Sequence, residues 1–293
     1  MPAARRSHQA RAVVTGTGSG IGRAFVREIV RRGGCVVCSD VSLASARATA
    51  ASIAAEGGIA HPLVCDVTDL AQVEALAETS RELLDGPVDL VINNAGVGAG
   101  GQRIGEAPVA DWQWTLKVNL WGVIHGCHVF APKLRAQGRG GIINVASAAS
   151  FSAAPLMGPY NVSKAGVLAL SETLAAECAG SGVRVSVLCP TFVATAILEA
   201  GRIAPESARF ADRLMQRFGT APELIARRSL DALDRGRLYA LPQIDARALW
   251  RLKRYAPVLF GRASALLGQR LSRSAAGKAG ANPAISKGAR HAA

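Results

Sequence analysis

No apolar run in this chain reaches the roughly twenty residues that a membrane-spanning helix needs, so no transmembrane segment is expected. The first ten residues carry Arg5, Arg6 and His8, but no apolar stretch follows before the first strand must begin, so a secretory leader is not expected either. There is no internal repeat, and no Pro/Gly/Ser-rich linker interrupts the chain before Pro242, which points to one domain in 293 residues. Metal chemistry lacks ligands, because His125 and His128 stand three apart with no third donor nearby. Cys35 and Cys38 are the only close cysteine pair, and their odd offset on a strand sends them to opposite faces, away from a shared zinc or a disulfide. Cys65, Cys127, Cys178 and Cys189 lie in core-like segments as small buried residues, a usage that fits a reduced, cytoplasmic compartment. Acid is also missing from one end. From Asp245 to Ala293 a single carboxylate faces ten Arg and Lys, and this stretch holds +9 of the formal +13.

What remains is a chain with 49% hydrophobic residues, enough for a sizeable core. Apolar runs near 11–16, 34–39, 60–65, 88–93, 140–146, 183–189 and 237–240 read as about seven strands, with helices between them. That alternation predicts a doubly wound parallel α/β sheet, a Rossmann fold, with its ligand crevice at the carboxyl ends of the strands. The expected organisation is an N-terminal arm over 1–10, a dinucleotide-binding catalytic domain over 11–242 and a basic extension over 243–293. The Ala/Ser/Gly-rich final twenty residues of that extension are expected to be disordered.

The densest chemical signal is Tyr160-Asn-Val-Ser-Lys164. On a helix, positions four apart share a face, so a phenol and an ammonium would project side by side, and the cation would favour the phenolate. Alone, the pair is equally a half-buried aromatic and a solvated lysine. A second signal opens the chain: Ala12-Val-Val-Thr15, then Gly16 to Gly22, then helical periodicity through Phe25, Val26, Ile29 and Val30. This reads strand, turn, helix, with glycines admitting a pyrophosphate to a helix N-terminus. The next apolar run ends at Asp40, eighteen residues beyond Gly22, near the offset of an acid that accepts from an adenosine ribose 2′-hydroxyl and repels a 2′-phosphate. NAD is therefore preferred to NADP, with Arg23 and Arg47 as the opposing charges.

Taken together, from about Arg11 to about Pro242, these residues resemble the short-chain dehydrogenases/reductases. Thr15 to Gly22 matches that family's Thr-Gly-x-x-x-Gly-x-Gly turn, Asn93-Asn-Ala-Gly96 its strand-end motif, and Asp66-Val67 its adenine contact. The resemblance implies a catalytic tetrad of Asn119, Ser147, Tyr160 and Lys164, with the usual spacing of thirteen from Ser147 to Tyr160 selecting Ser147 over Ser150. It implies cofactor contacts at Gly16, Ser19, Gly20, Ile21, Gly22, Asp40, Asp66, Val67, Asn93, Ala95, Gly96, Tyr160, Lys164, Pro190, Val193 and Thr195. Ser147, Tyr160, Phe151, Met157 and Phe192 would meet the substrate. One departure stands out: Thr191 follows Pro190 where relatives commonly carry glycine.

The implied chemistry is hydride transfer between NAD and a secondary alcohol or ketone. Tyr160 would be the base, Ser147 would orient the oxygen, Lys164 would lower the tyrosine pKa and hold ribose, and Asn119 would hold a helix irregularity and a water. Leu156, Ile197 and Leu198, with Leu214, Met215 and Phe218 on a lid helix, make the pocket apolar and suit a lipid-like, alicyclic or aromatic alcohol; Arg202 and Arg209 could instead meet an anion. A catalytically silent scaffold or sensor and an NADPH-dependent ketone reductase are the alternatives. The family also implies a homodimer or homotetramer through the helix bearing Val167, Leu168, Leu170, Leu174 and Ala175. In the extension, Ile244, Ala248, Leu252, Tyr255 and Leu259 form an apolar stripe flanked by Arg247, Arg251 and Arg254, ended by Pro257. The stripe either packs over the cleft or a neighbouring subunit, or lies peripherally on an anionic membrane. Nucleic acid is not an expected partner, since no recognisable motif accompanies the charge.

Overall fold

A computed structural model describes residues 5–195 and 201–279. The first half alternates as β1 (Arg11–Thr15), α1 (Gly20–Arg31), β2 (Cys35–Asp40), α2 (Leu43–Ala55), β3 (Ala60–Val64), α3 (Leu70–Leu83) and β4 (Leu90–Asn93). After a short β5 (Ala99–Gly100), α4 (Val109–Leu116), a π-helical turn (Lys117–Trp121) and α5 (Gly122–Ala136) follow one another without a break. Next come β6 (Gly140–Val145), the single turn α6 (Ala149–Ser152), α7 (Gly158–Glu177) and β7 (Val183–Leu188). The described chain closes with β8 (Arg202–Ile203), α8 (Pro205–Phe218), α9 (Pro222–Asp234), β9 (Tyr239–Ala240), α10 (Ile244–Tyr255) and α11 (Pro257–Ala279).

Seven strands pair in parallel in the order β3-β2-β1-β4-β6-β7-β9, the doubly wound sheet that the alternation predicts. Strand order reverses between β1 and β4, which opens a crevice at their carboxyl ends. Successive side chains leave opposite faces of each strand. Val13, Val91, Ile142 and Val187 therefore meet Val73, Phe130, Leu134 and Val167 of α3, α5 and α7, while Val14, Ile92, Ile143 and Leu188 meet Phe25, Ile29, Ile225 and Leu230 of α1 and α9. Each such aliphatic or aromatic side chain contributes ~1.5–3 kcal/mol by leaving water. The same alternation places Cys35 against the first cluster and Cys38 inside the second.

The N-terminal arm at Ser7 and the start of the basic extension are bound more tightly to this body than the sequence suggests. Arg32, whose side chain is 5% exposed, pairs with Glu28, Asp231 and Asp234 and donates to Ser7 Oγ at 2.7 Å, which ties the N-terminal arm to α1 and α9. At the other end Gln243, Ala246 and Phe260 are buried, so the basic extension packs on the body from its first residue. α10 stops at Tyr255 and Pro257 opens α11, where its missing N–H costs nothing. One expectation is corrected here. The predicted stripe does not pack over the cleft of its own chain: Ile244, Ala248, Leu252, Tyr255 and Leu259 are all exposed, and the opposite side, through Ala246 and Phe260, faces the body. Of the final twenty residues, 280–293 lie outside the described part.

Candidate active site

The turn after β1 is built to bring backbone close to backbone. Thr15 Oγ1 accepts from the N–H groups of Asn94 and Ala95 at 3.0 and 3.1 Å, and Asn94 Nδ2 donates to the carbonyls of Thr15 and Gly16. Gly16 has φ +69°, and a Cβ there would stand 2.8 Å from Ala95 Cα; on Gly22 it would stand 2.0 Å from the Gly16 carbonyl oxygen. Only glycine fits either place. Ser19 precedes α1 without capping it, and no acid sits in the first turn. The helix therefore presents free N–H groups and its positive end to the crevice, the condition for holding a phosphate. Thr195 reaches the same spot, since its Cγ2 would be 2.8 Å from a Cβ on Gly20, and Ile21 anchors the turn against the α1 core.

At the end of β2, Asp40 accepts from Gly18 N at 2.8 Å through one oxygen and from Ser42 N at 3.0 Å through the other. Arg23 is already engaged with Thr49 Oγ1 and the Gly18 carbonyl; Arg47 is exposed. Asp66 and Val67 follow the neighbouring β3, where Asp66 Oδ1 accepts from Thr68 N at 2.9 Å. The Val67 carbonyl bonds His125 Nδ1 at 2.9 Å, so that histidine positions a loop, and among the described residues no cluster of metal-ligating side chains occurs. Asn93 is held by the core. Its side chain is buried beneath the sheet, donating to Asn144 Oδ1 at 2.8 Å, and Asn144 in turn donates to Ser171 Oγ at 3.0 Å. Strand alternation turns Asn93 away from the crevice; Asn94, which sequence reasoning left out, reaches the glycine turn instead.

The four proposed catalytic residues converge where β4, β6 and α7 meet. A Cβ on Gly96 would stand 3.2 Å from Asn119 Oδ1 and 3.4 Å from Lys164 Nζ, so three of the expected positions share one small space with Ala95 beside them. Asn119 sits inside the π turn and spends nothing on its own helix: it accepts from Val97 N at 2.7 Å and donates to the Val97 carbonyl and to Ser163 Oγ. Ser147 Oγ faces the Tyr160 hydroxyl, donates to the Pro190 carbonyl at 3.5 Å and accepts from Ala149 N at 3.2 Å. Ser150 is committed to the Ser147 carbonyl at 2.6 Å, which leaves Ser147 as the serine that addresses Tyr160.

The electrostatics differ from the expectation in one respect. Lys164 is 3% exposed and donates to the Val145 carbonyl at 2.9 Å, with its ammonium 5.8 Å from the centre of the Tyr160 ring. Burial pushes the Tyr160 phenol above its ordinary value, and the group that pulls it back is the Ser147 hydroxyl rather than the lysine. Burial also lowers Lys164 to about 8, with Cys189 opposing. The phenol is thus held protonated, because the solvent its oxygen loses outweighs the Ser147 hydroxyl it faces.

The substrate side is closed by short contacts between distant segments. β5 pairs with β8, Gln102 bridges Met157, and Gly101 N donates to the Leu156 carbonyl at 2.6 Å. Leu156 and Ala153 hold positive φ (+65° and +50°), an uncommon conformation for side-chain-bearing residues. Phe151 packs against the core, and Phe192, Leu214 and Met215 are half-buried. Phe218 is exposed, and Ile197 and Leu198 lie outside the described residues. Arg202 is engaged by Asp111 at 3.0 Å and by the Trp114 ring, while Arg209 is exposed. After β7 the Pro190 carbonyl accepts from Ala148 N at 2.8 Å, and Val193 bridges Thr220. Thr191 N donates to Gln243 Oε1 at 2.9 Å, and Gln243 Nε2 donates to the Phe192 carbonyl at 2.8 Å and to Thr220 Oγ1 at 3.2 Å. Sequence reasoning missed Gln243, which lies fifty-two residues along the chain from its first partner.

Comparisons with known proteins agree with this geometry. The family model of the short chain dehydrogenases matches residues 10–204. "Probable oxidoreductase EphD" of Mycobacterium tuberculosis is 42% identical over 187 residues, 63% of this chain but 31% of that protein, so the match covers about a third of its length. The 1-deoxy-11-beta-hydroxypentalenate dehydrogenase of Streptomyces exfoliatus is 36% identical over 80% of this chain and 84% of its own. Among solved structures, a short chain dehydrogenase/reductase from Burkholderia phymatum in complex with NAD superposes with a TM-score of 0.78 at 37% identity, covering 87% of this chain and 96% of that one.

Proposed function

This chain belongs to the short chain dehydrogenase family, and from that premise we propose that it is an NAD-dependent dehydrogenase acting on an apolar secondary alcohol. The observation that carries the reading is that Asn119 and Lys164 meet at Gly96, Lys164 lies against the Tyr160 ring and Tyr160 faces Ser147, next to a glycine turn that no Cβ could enter. The free α1 N-terminus and the cradle of Gly16, Gly20 and Gly22 fit a pyrophosphate; Asp40, Asp66 and Val67 fit the adenosine half; and Ala95, Pro190, Val193 and Thr195 border the nicotinamide half. When bound, the dinucleotide supplies the hydride acceptor. The protein's own part is proton transfer and placement. Tyr160 exchanges the hydroxyl proton, Ser147 fixes the substrate oxygen beside it, and Lys164 offers a buried cation to ribose hydroxyls.

A phenol held protonated by burial gives a proton to a ketone readily and takes one from an alcohol only as pH rises, so the site runs in either direction with opposite pH dependence. Asp40 supports NAD, because its carboxylate faces the turn where a 2′-phosphate would fall and Arg23 is already engaged. Phe151, Met157, Phe192, Leu214 and Met215 support an apolar substrate, with Arg202 withdrawn from the pocket by Asp111. By the family's habit the chain assembles as a homodimer or homotetramer, and its reduced cysteines suit the cytoplasm. The test is Tyr160→Phe assayed with NAD and NADP across steroid, terpenoid, aromatic and aliphatic alcohols. Oxidation should fall by at least a hundredfold while dinucleotide binding persists. Undiminished turnover would remove the base, and no turnover by the parent protein would favour the silent scaffold.

A further inference from the structure

The extension buries one side and leaves the other unpartnered. Ile244 and Tyr255 on α10 are 80% and 79% exposed, and Val258, Leu259, Leu266 and Leu267 on α11 are exposed as well, while Ala246 and Phe260 face inward. Arg247, Arg251, Arg254 and Arg262 border this surface, and among the described residues none of them pairs with a carboxylate. Water contact over so many aliphatic side chains is unfavourable, and a contiguous apolar face rimmed by one sign of charge marks a docking surface. The surface also has an address. α10 packs on α6, and Gly268 of α11 lies 3.4 Å, by its Cβ position, from the Pro155 ring, so the extension rests on the segment that joins Ser147 to Tyr160.

We propose that α10 and α11 dock this protein on an anionic lipid bilayer, with the leucines, Ile244 and Tyr255 entering the headgroup boundary and the arginines on lipid phosphates. Charge selects this occupant. A second copy joined by a two-fold axis would set the same arginines against each other. Nucleic acid would satisfy the arginines and leave the aliphatic side chains in water. A bilayer with anionic headgroups satisfies both. Docked in this way, α10 and α11 lie between the headgroups and the 149–155 segment, which sets the site one helical layer from a membrane-dissolved apolar alcohol. That last step rests on the function proposed above; the docking itself does not.

The experiment is co-sedimentation of the full chain with vesicles of phosphatidylcholine alone and of phosphatidylcholine mixed with phosphatidylglycerol, at low and high salt. Binding is expected to the mixed vesicles only, weakening as salt rises. Leu259→Glu with Leu266→Glu should reduce the partition coefficient more than tenfold, and Arg251→Gln, Arg254→Gln and Arg262→Gln should reduce it about fivefold each, equivalent to ~1 kcal/mol per arginine. Dinucleotide binding in solution should stay unchanged in every variant, which confirms folding and keeps this test separate from the catalytic one. Equal binding to both vesicle types, no binding to either, or a dimer in light scattering that dissociates in the Leu259→Glu, Leu266→Glu variant would each overturn the proposal.

Discussion

Truncating Gln243 to alanine should loosen the loop after β7, proposed above to border the nicotinamide half of the site. The side chain is 6% exposed and makes three hydrogen bonds, to Thr191 N, the Phe192 carbonyl and Thr220 Oγ1. The Phe192 carbonyl keeps a second donor in Thr220 N at 3.0 Å, so its loss is partial. Thr191 N has no such reserve, and an orphaned N–H costs ~1–3 kcal/mol, while each of the other two bonds is worth ~0.5–1.5 kcal/mol. With the Phe192 bond discounted, the total is about 1.5–4.5 kcal/mol. For a domain of this size 1 kcal/mol shifts Tm by ~2–4 °C, so calorimetry should show a fall of roughly 3–18 °C. Because the same bonds fix Thr191 and Phe192, titration with NAD should show weaker binding, with Tyr160-dependent proton transfer intact once the dinucleotide is saturating. Gln243→Glu separates the contributions: it keeps the acceptor for Thr191 N and sets a carboxylate against the Phe192 carbonyl, so its NAD affinity should recover only as pH falls. A Gln243→Ala protein with the parent's Tm and NAD affinity would refute the reasoning.

Other consequences follow from charge. Lys164, lowered to about 8 by burial, should lose its proton as pH rises through that value, so the affinity of the free protein for NAD should decline above about pH 8, and Lys164→Arg should abolish the inflection in a pH-resolved binding series. Arg32→Met removes the cation shared by Glu28, Asp231 and Asp234, leaving Glu28 to Arg31 and Asp234 to Ser7, and should cost up to ~3 kcal/mol in urea unfolding. Burial alone would raise Glu28, but hydrogen bonds from Arg31 and Arg32 outweigh it and hold the carboxyl below its ordinary 4.5. The stability this carboxylate contributes is therefore complete above about pH 4.5 and lost as pH falls further, which an acid-unfolding midpoint shifted upward in Arg32→Met would report. Asp40→Ser should narrow the preference for NAD over NADP by removing a negative charge from the ribose end, read as the ratio of kcat/KM for the two cofactors.

Most of the sheet and the pairing of the proposed catalytic side chains were legible because they rest on local pattern. Apolar runs gave the strands, and a spacing of four on α7 paired Tyr160 with Lys164. The direction of individual side chains was less so. Asn93 and Asn94 are chemically identical, and only the strand's pleat decides that the first supports Asn144 while the second holds the glycine turn. Lys164 belongs to the site, yet which acceptor takes its proton depends on where the Val145 carbonyl falls after β6. Gln243 could not be found at all, since its partners gather only when β7, α8 and α10 meet. The apolar stripe of α10 was visible as a periodicity, but periodicity does not say which side of a helix meets its own protein.

The π turn at Lys117–Trp121 has a consequence for the length of its helical rod. A π turn holds one more residue than an α turn in about the same rotation, so it widens the backbone locally without changing the phase of what lies beyond it. Removing one residue there would let the rod relax into uniform α-helix with α5 almost unrotated against α4. Val123, Cys127 and Phe130 would keep the face they share with the sheet, while Asn119 would lose the widened turn from which it reaches Val97. The extra residue thus serves the placement of one side chain rather than the packing of the interior, and its deletion should disturb Val97 and Ser163 more than the core.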